Sequence, residues 1–257
     1  MRLKKRRFRT WRPLFGLALV GVMFLAGCMY PNELRRENRA TVKEAVMIVQ
    51  HAIDEFKNRT GVLPIRNSDM HTPIYEKYVI DMKKLKDGGY IGEIPGLAYE
   101  NGGTFKFVLV NPEQKPEVKL LDLRVFQQTV DLQQAVDAYK KANNGRLPIG
   151  DPVWPGYYQI DFDKLGKKDE QAASVFSPMY LGFLLHESGT VFVDYAPEIM
   201  KMMNETGMTG ADPNTDLRTL LVQNTPFVPV KSVPYYWRNN EPEPGEPQDG
   251  VPSGSAG

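Results

Sequence analysis

Cysteine occurs once in this chain of 257 residues, which excludes an intramolecular disulfide and any cysteine-rich metal site. Histidine is nearly as scarce: His51, His71 and His186 are widely separated and lack a ligand spacing such as His-x-x-x-His, so they read as unrelated surface or half-buried imidazoles. There is no Gly-x-Ser-x-Gly elbow, no Ser-x-x-Lys pair and no glycine-rich phosphate loop. These absences argue against a hydrolase or a kinase, and the sequence predicts no catalytic residue, cofactor or metal. Excess charge of one sign is missing too, because 32 basic side chains nearly balance 31 acidic ones.

That balance hides an asymmetry. Arg2, Lys4, Lys5, Arg6, Arg7, Arg9 and Arg12 crowd the N-terminus, with no acidic residue before Cys28. Beyond them, 25 basic side chains face 31 acidic ones, a balance of about −6 that argues against nucleic acid as a partner. The remaining composition, 42% hydrophobic and 25% charged, suits a chain with a real core and one or two compact domains.

The basic stretch is followed by an apolar run from Leu14 to Phe24 and then by Leu25-Ala26-Gly27-Cys28. The stretch from Leu14 to Met29 is slightly short of the roughly 17 to 25 residues that span a bilayer. Its order and its lone cysteine resemble the lipobox of bacterial lipoproteins. That resemblance implies a signal peptide over residues 1–27, cleavage between Gly27 and Cys28, and a diacylglyceryl group on the Cys28 sulfur. Two acyl chains hold stably where one would exchange. The expected location is the extracytoplasmic face of the cell membrane, with membrane lipid as a partner through Cys28.

At the other end, residues 239–257 read Asn-Asn-Glu-Pro-Glu-Pro-Gly-Glu-Pro and finish in Gly and Ser, which predicts a disordered tail. Between the ends lies a diverged duplication. Ala52-Ile53-Asp54, Gly61-Val62-Leu63-Pro64-Ile65, Pro73-Ile74-Tyr75 and Tyr78-Val79-Ile80-Asp81 return as Ala135-Val136-Asp137, Gly145-Arg146-Leu147-Pro148-Ile149, Pro152-Val153-Trp154 and Tyr158-Gln159-Ile160-Asp161. The blocks keep their order, with offsets of 79 to 84. The repeats occupy residues 28–125 and 126–238, the second including a C-terminal extension.

Each repeat reads as an α+β unit of long helix, loop, short helix and antiparallel hairpin. Val42, Ala45, Val46, Val49, Ala52, Ile53 and Phe56 form one apolar stripe on a helix from about Glu33 to Arg59, with Gly61 to end it. Leu132, Ala135, Val136 and Tyr139 form its shorter counterpart, ended by Asn144-Gly145. A short helix is expected after each Tyr-x-Ile-Asp block. Hairpins are expected from Phe105–Val110 with Val118–Leu123, and from Met179–Leu185 with Thr190–Asp194. Helices near Pro197–Asn204 and Thr215–Gln223 and an extended piece from Phe227 to Tyr235 complete the chain.

Ala135-Val136-Asp137-Ala138-Tyr139 leading to Gly145-Arg146-Leu147-Pro148 resembles the segment after the long helix of type IV pilins and pseudopilins. The hydrophobic assembly helix of that family is missing here, so a filament subunit is not expected. Over a longer stretch, Gly27-Cys28-Met29-Tyr30-Pro31, Gly61-Val62-Leu63-Pro64-Ile65 and Val108-Leu109-Val110-Asn111 resemble the uncharacterised YphF-like lipoproteins of Bacillales. That resemblance implies a Gram-positive envelope and brings no catalytic residue.

Asp81 and Asp161 are the best carboxylate candidates, since paired carboxylates can divide acid and base roles. Each also precedes a short helical stretch whose first amides it can accept, and that capping role explains the recurrence. Tyr75, Tyr78, Trp154, Tyr157, Tyr158 and Trp237 are candidates for a glycan- or peptide-binding surface, with core packing as the alternative. Tyr235-Tyr236-Trp237-Arg238 reads as a last core strand or a partner patch, and Met200, Met202, Met203 and Met208 as core or as an adaptable surface. The expected function is a non-enzymatic binding or scaffolding lipoprotein whose partner is another envelope protein or a wall component. The alternatives are a small-ligand receptor of a transport system and a wall-acting enzyme using Asp81 and Asp161.

Overall fold

The computed structural model describes residues 32–247, with side chains from Ala40 onward. Residues 1–43 and 44–257 form separate compact units, and the described part of the first is the start of helix α1, Asn32–Thr60. The signal peptide and the Gly27–Cys28 cleavage site lie outside the described residues.

The larger unit is α+β, as the periodicity predicts. From Glu44 onward, α1 buries Ala45, Val49, Ala52, Ile53 and Phe56. It stops at Gly61, whose φ of +75° lets its amide close back on the Lys57 carbonyl. Two short helices, α2 (Ile74–Lys77) and α3 (Met82–Asp87), lead to the antiparallel hairpin β1 (Phe105–Val110) and β2 (Glu117–Asp122). Helix α4 (Leu123–Ala142) follows β2 without a loop. Asp122, 2% exposed, makes this possible by accepting from the Arg124 amide at 2.8 Å and pairing with its guanidinium at 2.6 Å. The repeat boundary expected at 125/126 therefore falls inside a helix.

After α4, strands β3 (Ile149–Trp154), β4 (Tyr157–Ile160), β7 (Phe183–His186) and β8 (Val191–Val193) pair in that order, all antiparallel. A small ladder of β5 (Ala172–Ala173) and β6 (Tyr180–Leu181) interrupts the sequence between β4 and β7. Helices α5 (Ala196–Thr206) and α6 (Arg218–Asn224) precede an extended segment. The chain then forms a last hairpin, β9 (Tyr235–Arg238) and β10 (Glu241–Pro244).

Three expectations are corrected. The segment after Asp161 is a series of turns, not a short helix, although the Asp161 carboxylate still receives the Lys164 amide at 3.1 Å. The stretch after Leu147-Pro148, expected as a loop, is strand β3. The tail does not begin at 239: Pro242, Glu243, Pro244 and Gly245 are buried, Gly245 donates to the Pro234 carbonyl at 2.8 Å, and the Tyr157 hydroxyl donates to the Gly245 carbonyl at 2.6 Å. Prolines 242 and 244 are tolerated because β10 pairs on one side only.

The same contacts recur in both sequence repeats. The Asp81 amide donates to Pro64 at 2.8 Å and the Asp161 amide to Pro148 at 2.9 Å. Ile65 pairs with Ile80 as Ile149 does with Ile160, and Val79 pairs with Val108 as Gln159 does with Leu184. Gln50 receives the Val118 amide at 2.8 Å and donates to the Pro116 carbonyl at 3.1 Å. Gln133 receives the Val191 amide at 2.7 Å and donates to the Gly189 carbonyl at 2.9 Å. Each glutamine also bonds the aspartate four residues on, Asp54 or Asp137, at 3.0 Å. A long helix is thus pinned twice, in the same way, to the entry of a second hairpin strand.

Successive β1 residues point to opposite faces. Val108 and Val110, with Leu121 of β2, enter one apolar cluster with Leu132 and Val136 of α4, Leu184 and Val191 of the larger sheet, and Leu221 of α6. The contact region between the two hairpins is therefore packed, not an open cleft. The segment between α6 and β9 ties it together. Leu120 exchanges bonds with Pro226 and Val228 at 2.8 and 3.1 Å, and Val193 donates to Lys231 at 2.9 Å. Lys231 adopts a φ of +54° and is held there by Glu76, which accepts its amide at 2.8 Å and its ammonium at 3.2 Å.

Candidate functional site

Among the described residues, the pocket that gathers sequence-predicted site residues lies between α2 and the start of α6. Its volume is about 220 Å³, and its lining includes Ile74, Tyr75, Tyr78, Asn111, Asp216 and Arg218. Tyr75 lies in the single turn of α2 and Tyr78 is its C-cap residue, and both line the pocket. Asn111, at the turn after β1, enters with a φ of +51°, a backbone conformation asparagine tolerates better than most side chains.

Its charged members are a closed pair. Arg218, 3% exposed, grips both Asp216 oxygens through Nε at 3.1 and 2.9 Å and through Nη2 at 2.7 Å, while Nη1 donates to the Ser232 carbonyl at 3.2 Å. The Asp216 carboxylate also receives the backbone amides of Arg218 at 3.1 Å and Tyr235 at 3.4 Å. The Arg218 guanidinium stands over the Tyr75 ring, 5.0 Å from its centroid. Burial, followed by the nearby Asp216 carboxylate, pushes the Tyr75 phenol up to about 12. The pocket is thus neutral in sum and rimmed by tyrosine, and Ile74 at its mouth is 56% exposed. It suits a neutral, partly apolar group. With a non-ionised phenol and a satisfied ion pair, it presents no activated base or nucleophile.

The other candidates are dispersed. In the β3–β4 register, Trp154 stands opposite buried Tyr157 and Pro152 opposite Tyr158, so neighbouring Tyr157 and Tyr158 project to opposite faces. Trp154 packs against the core with its indole nitrogen buried and unpartnered. Trp237 on β9 packs against the same core. Tyr75 and Tyr78 are therefore the predicted binding residues that share a site. Met203 is fully buried and Met202 and Met208 pack against the core, so those methionines fill space.

Asp81 and Asp161 act locally. Each accepts the amide three residues on, from Lys84 or Lys164, at 3.1 Å. Asp161 also bonds the Lys164 ammonium at 2.8 Å, and these Lys164 contacts hold its carboxyl below the usual range. Among the described residues no group of three His, Cys, Asp or Glu side chains is placed to hold a metal ion. His186 stacks on Tyr157 with ring centroids 4.8 Å apart and bonds Ser188 through Nδ1 at 2.9 Å, while His51 and His71 are exposed.

Asp216 and Arg218 were not foreseen as site residues. Asp-x-Arg before an apolar stretch was visible, but its partner Tyr75 lies far away in sequence, and only the fold brings them together. Gln50 and Gln133 left a clearer trace, since each stands two residues before the alanine and four before the aspartate of its repeat block.

Residues 42–122 match the family model described as the YphF family N-terminal domain. This stretch runs from within α1 to the end of β2, so the first repeat is similar to that domain and the match stops where the second repeat begins. No curated protein and no solved structure matches the chain.

Proposed function

We propose that the chain is a lipid-anchored extracytoplasmic protein that binds or scaffolds another component of a Gram-positive cell envelope, without enzymatic chemistry of its own. The order of basic stretch, apolar run and Leu-Ala-Gly-Cys supports the anchor on Cys28. Among the described residues no helix is long and apolar enough to cross a membrane.

The observation that carries the binding role is the Tyr75–Tyr78 pocket, whose Asp216–Arg218 pair is already satisfied and whose rim is tyrosine and exposed isoleucine. Tyrosine and arginine beside an apolar rim are the composition of interface anchors. The capping roles of Asp81 and Asp161 weigh against a wall-acting enzyme. The packed region between the hairpins weighs against a transport receptor that closes on a ligand there.

Two measurements test this reading. Mass spectrometry of the protein extracted from membranes is expected to show an N-terminal Cys28 carrying diacylglyceryl, and an unmodified Cys28 would remove the anchor. A photo-crosslinking side chain at Tyr78 is expected to capture one envelope component that the same side chain at exposed Met47 does not. Identical capture from both positions would sink the pocket as the contact site.

A further inference from the structure

The recurring contacts make Val110 and His186 corresponding residues, each two places beyond the hairpin position, Val108 or Leu184, that pairs with Val79 or Gln159. Residues two apart on a strand share a face, so the two sit alike on their hairpins. Beside His186 the chain seats a piece of itself. Tyr157, stacked on His186, donates its hydroxyl to the Gly245 carbonyl at 2.6 Å, and Glu246 comes within 3.9 Å of the imidazole. The segment so held, Glu-Pro-Glu-Pro-Gly-Glu, starts as strand β10, and both its prolines are buried. Beside Val110 lies the open pocket of Tyr75 and Tyr78 instead. None of the described residues hydrogen-bonds the hydroxyls of these tyrosines or the Asn111 side-chain amide, whereas Asp216 and Arg218 satisfy each other. The groups left to bond a partner are thus uncharged, two phenols and an amide next to apolar Ile74 and Val110.

We propose that this pocket takes an extended, proline-containing segment of another envelope protein, as the seat beside His186 takes residues 241–246. The inference rests on the binding role proposed above and names the chemistry of the partner. A polyproline-type segment has carbonyls with no internal hydrogen bonds and, at each proline, no N–H. Hydroxyl and amide donors beside tyrosine rings match it, and its preformed extension lowers the ordering cost of binding. The two seats are built from different sequence positions, because Tyr157 stands one residue before Tyr158, the match of Tyr78. What they share is tyrosine beside the same hairpin position.

The probe is the uncharged peptide acetyl-Ala-Pro-Ala-Pro-Gly-Ala-amide, which keeps the proline spacing of residues 241–246, added to the full chain in detergent micelles. Saturation-transfer NMR is expected to show transfer to the proline rings. In a titration, Tyr78→Phe is expected to weaken binding roughly fivefold through its lost hydroxyl. Ile74→Arg, at a residue 56% exposed and so tolerant of the change, is expected to abolish binding by covering the pocket mouth. Tyr180→Phe, outside the pocket, should leave it unchanged. Peptide binding that neither pocket variant weakens overturns the proposal. Absence of peptide binding does so too, and photo-crosslinking at Tyr78 that still captures an envelope component then leaves the pocket as a contact site for another chemistry. Binding of an N-acetylglucosamine tetramer in place of the peptide, lost in Ile74→Arg, would assign a glycan and overturn the peptide. Absence of peptide binding together with identical capture at Tyr78 and Met47 overturns the binding role as well.

Discussion

Asp194 and Asp161 show how one residue type is pushed in opposite directions by its surroundings. Asp194 is half-buried by its neighbours and accepts the Ala196 amide and the Tyr235 hydroxyl, each at 3.0 Å. Burial raises its carboxyl above the ordinary 3.8 more than those bonds lower it. A raised carboxyl favours the fold while protonated, so its destabilising contribution appears as pH rises above 3.8 and is complete beyond the folded-state value. Asp194→Asn is therefore expected to gain stability relative to the parent across that rise, as read from urea midpoints at several pH values. Asp161 carries the opposite sign. Lys164 holds its carboxyl below 3.8, so its contribution is full above that value and fades as pH falls below it. The deficit of Asp161→Asn should accordingly shrink in acid. For the Asp81 cap, replacement by alanine is expected to cost about 1 kcal/mol.

At the scale of elements, the two glutamine pins carry the clearest expectation. Gln50→Ala would leave the Val118 amide and the Pro116 carbonyl without side-chain partners, and Gln133→Ala would do the same to Val191 and Gly189. Each change is expected to cost about 1 to 3 kcal/mol in chemical denaturation. An outcome within a few tenths of the parent would show that packing alone holds helix to hairpin. Helix α1 was legible in the sequence because Ala45, Val49, Ala52, Ile53 and Phe56 repeat at helical spacing, and β1–β2 because a proline-flanked polar turn separates two apolar runs. Strand β3 was not legible. Its residues are mostly exposed, Pro152 interrupts them, and its pairing with β4 shifts register, so no alternating pattern survives in Ile-Gly-Asp-Pro-Val-Trp. Strand β10 failed for a different reason. Glu-Pro-Glu-Pro has the composition of a solvated tail, and it folds because β9 and the Tyr157 hydroxyl supply its partners.

For the whole molecule, the segment joining α6 to β9 does what neither hairpin can do alone. The Lys119 side chain, on the hairpin face that also bears Val108 and Val110, reaches the Val222 carbonyl at 2.6 Å and the Thr225 carbonyl at 2.9 Å and so closes the end of α6. Beyond it the segment bonds β2, then Glu76, then β8. The region between hairpins thus depends on residues of the C-terminal extension, which lie outside the recurring sequence blocks, and this explains why those blocks alone could not distinguish a cleft from a packed contact. The Glu76–Lys231 pair is the decisive link. Glu76 is 7% exposed at its side chain and Lys231 25%, so Lys231→Met would strand a nearly buried carboxylate. The expected loss is about 3 kcal/mol, toward the low end for a broken buried pair because the lysine is partly hydrated. Glu76→Gln combined with Lys231→Met should recover part of that loss, since the remaining amide still accepts the Lys231 backbone N–H without carrying a charge. Measured by thermal and urea denaturation, a double variant no more stable than the single one would mean that the backbone bond and the strand pairings hold the segment. The ion pair would then be a consequence of their geometry and not its cause.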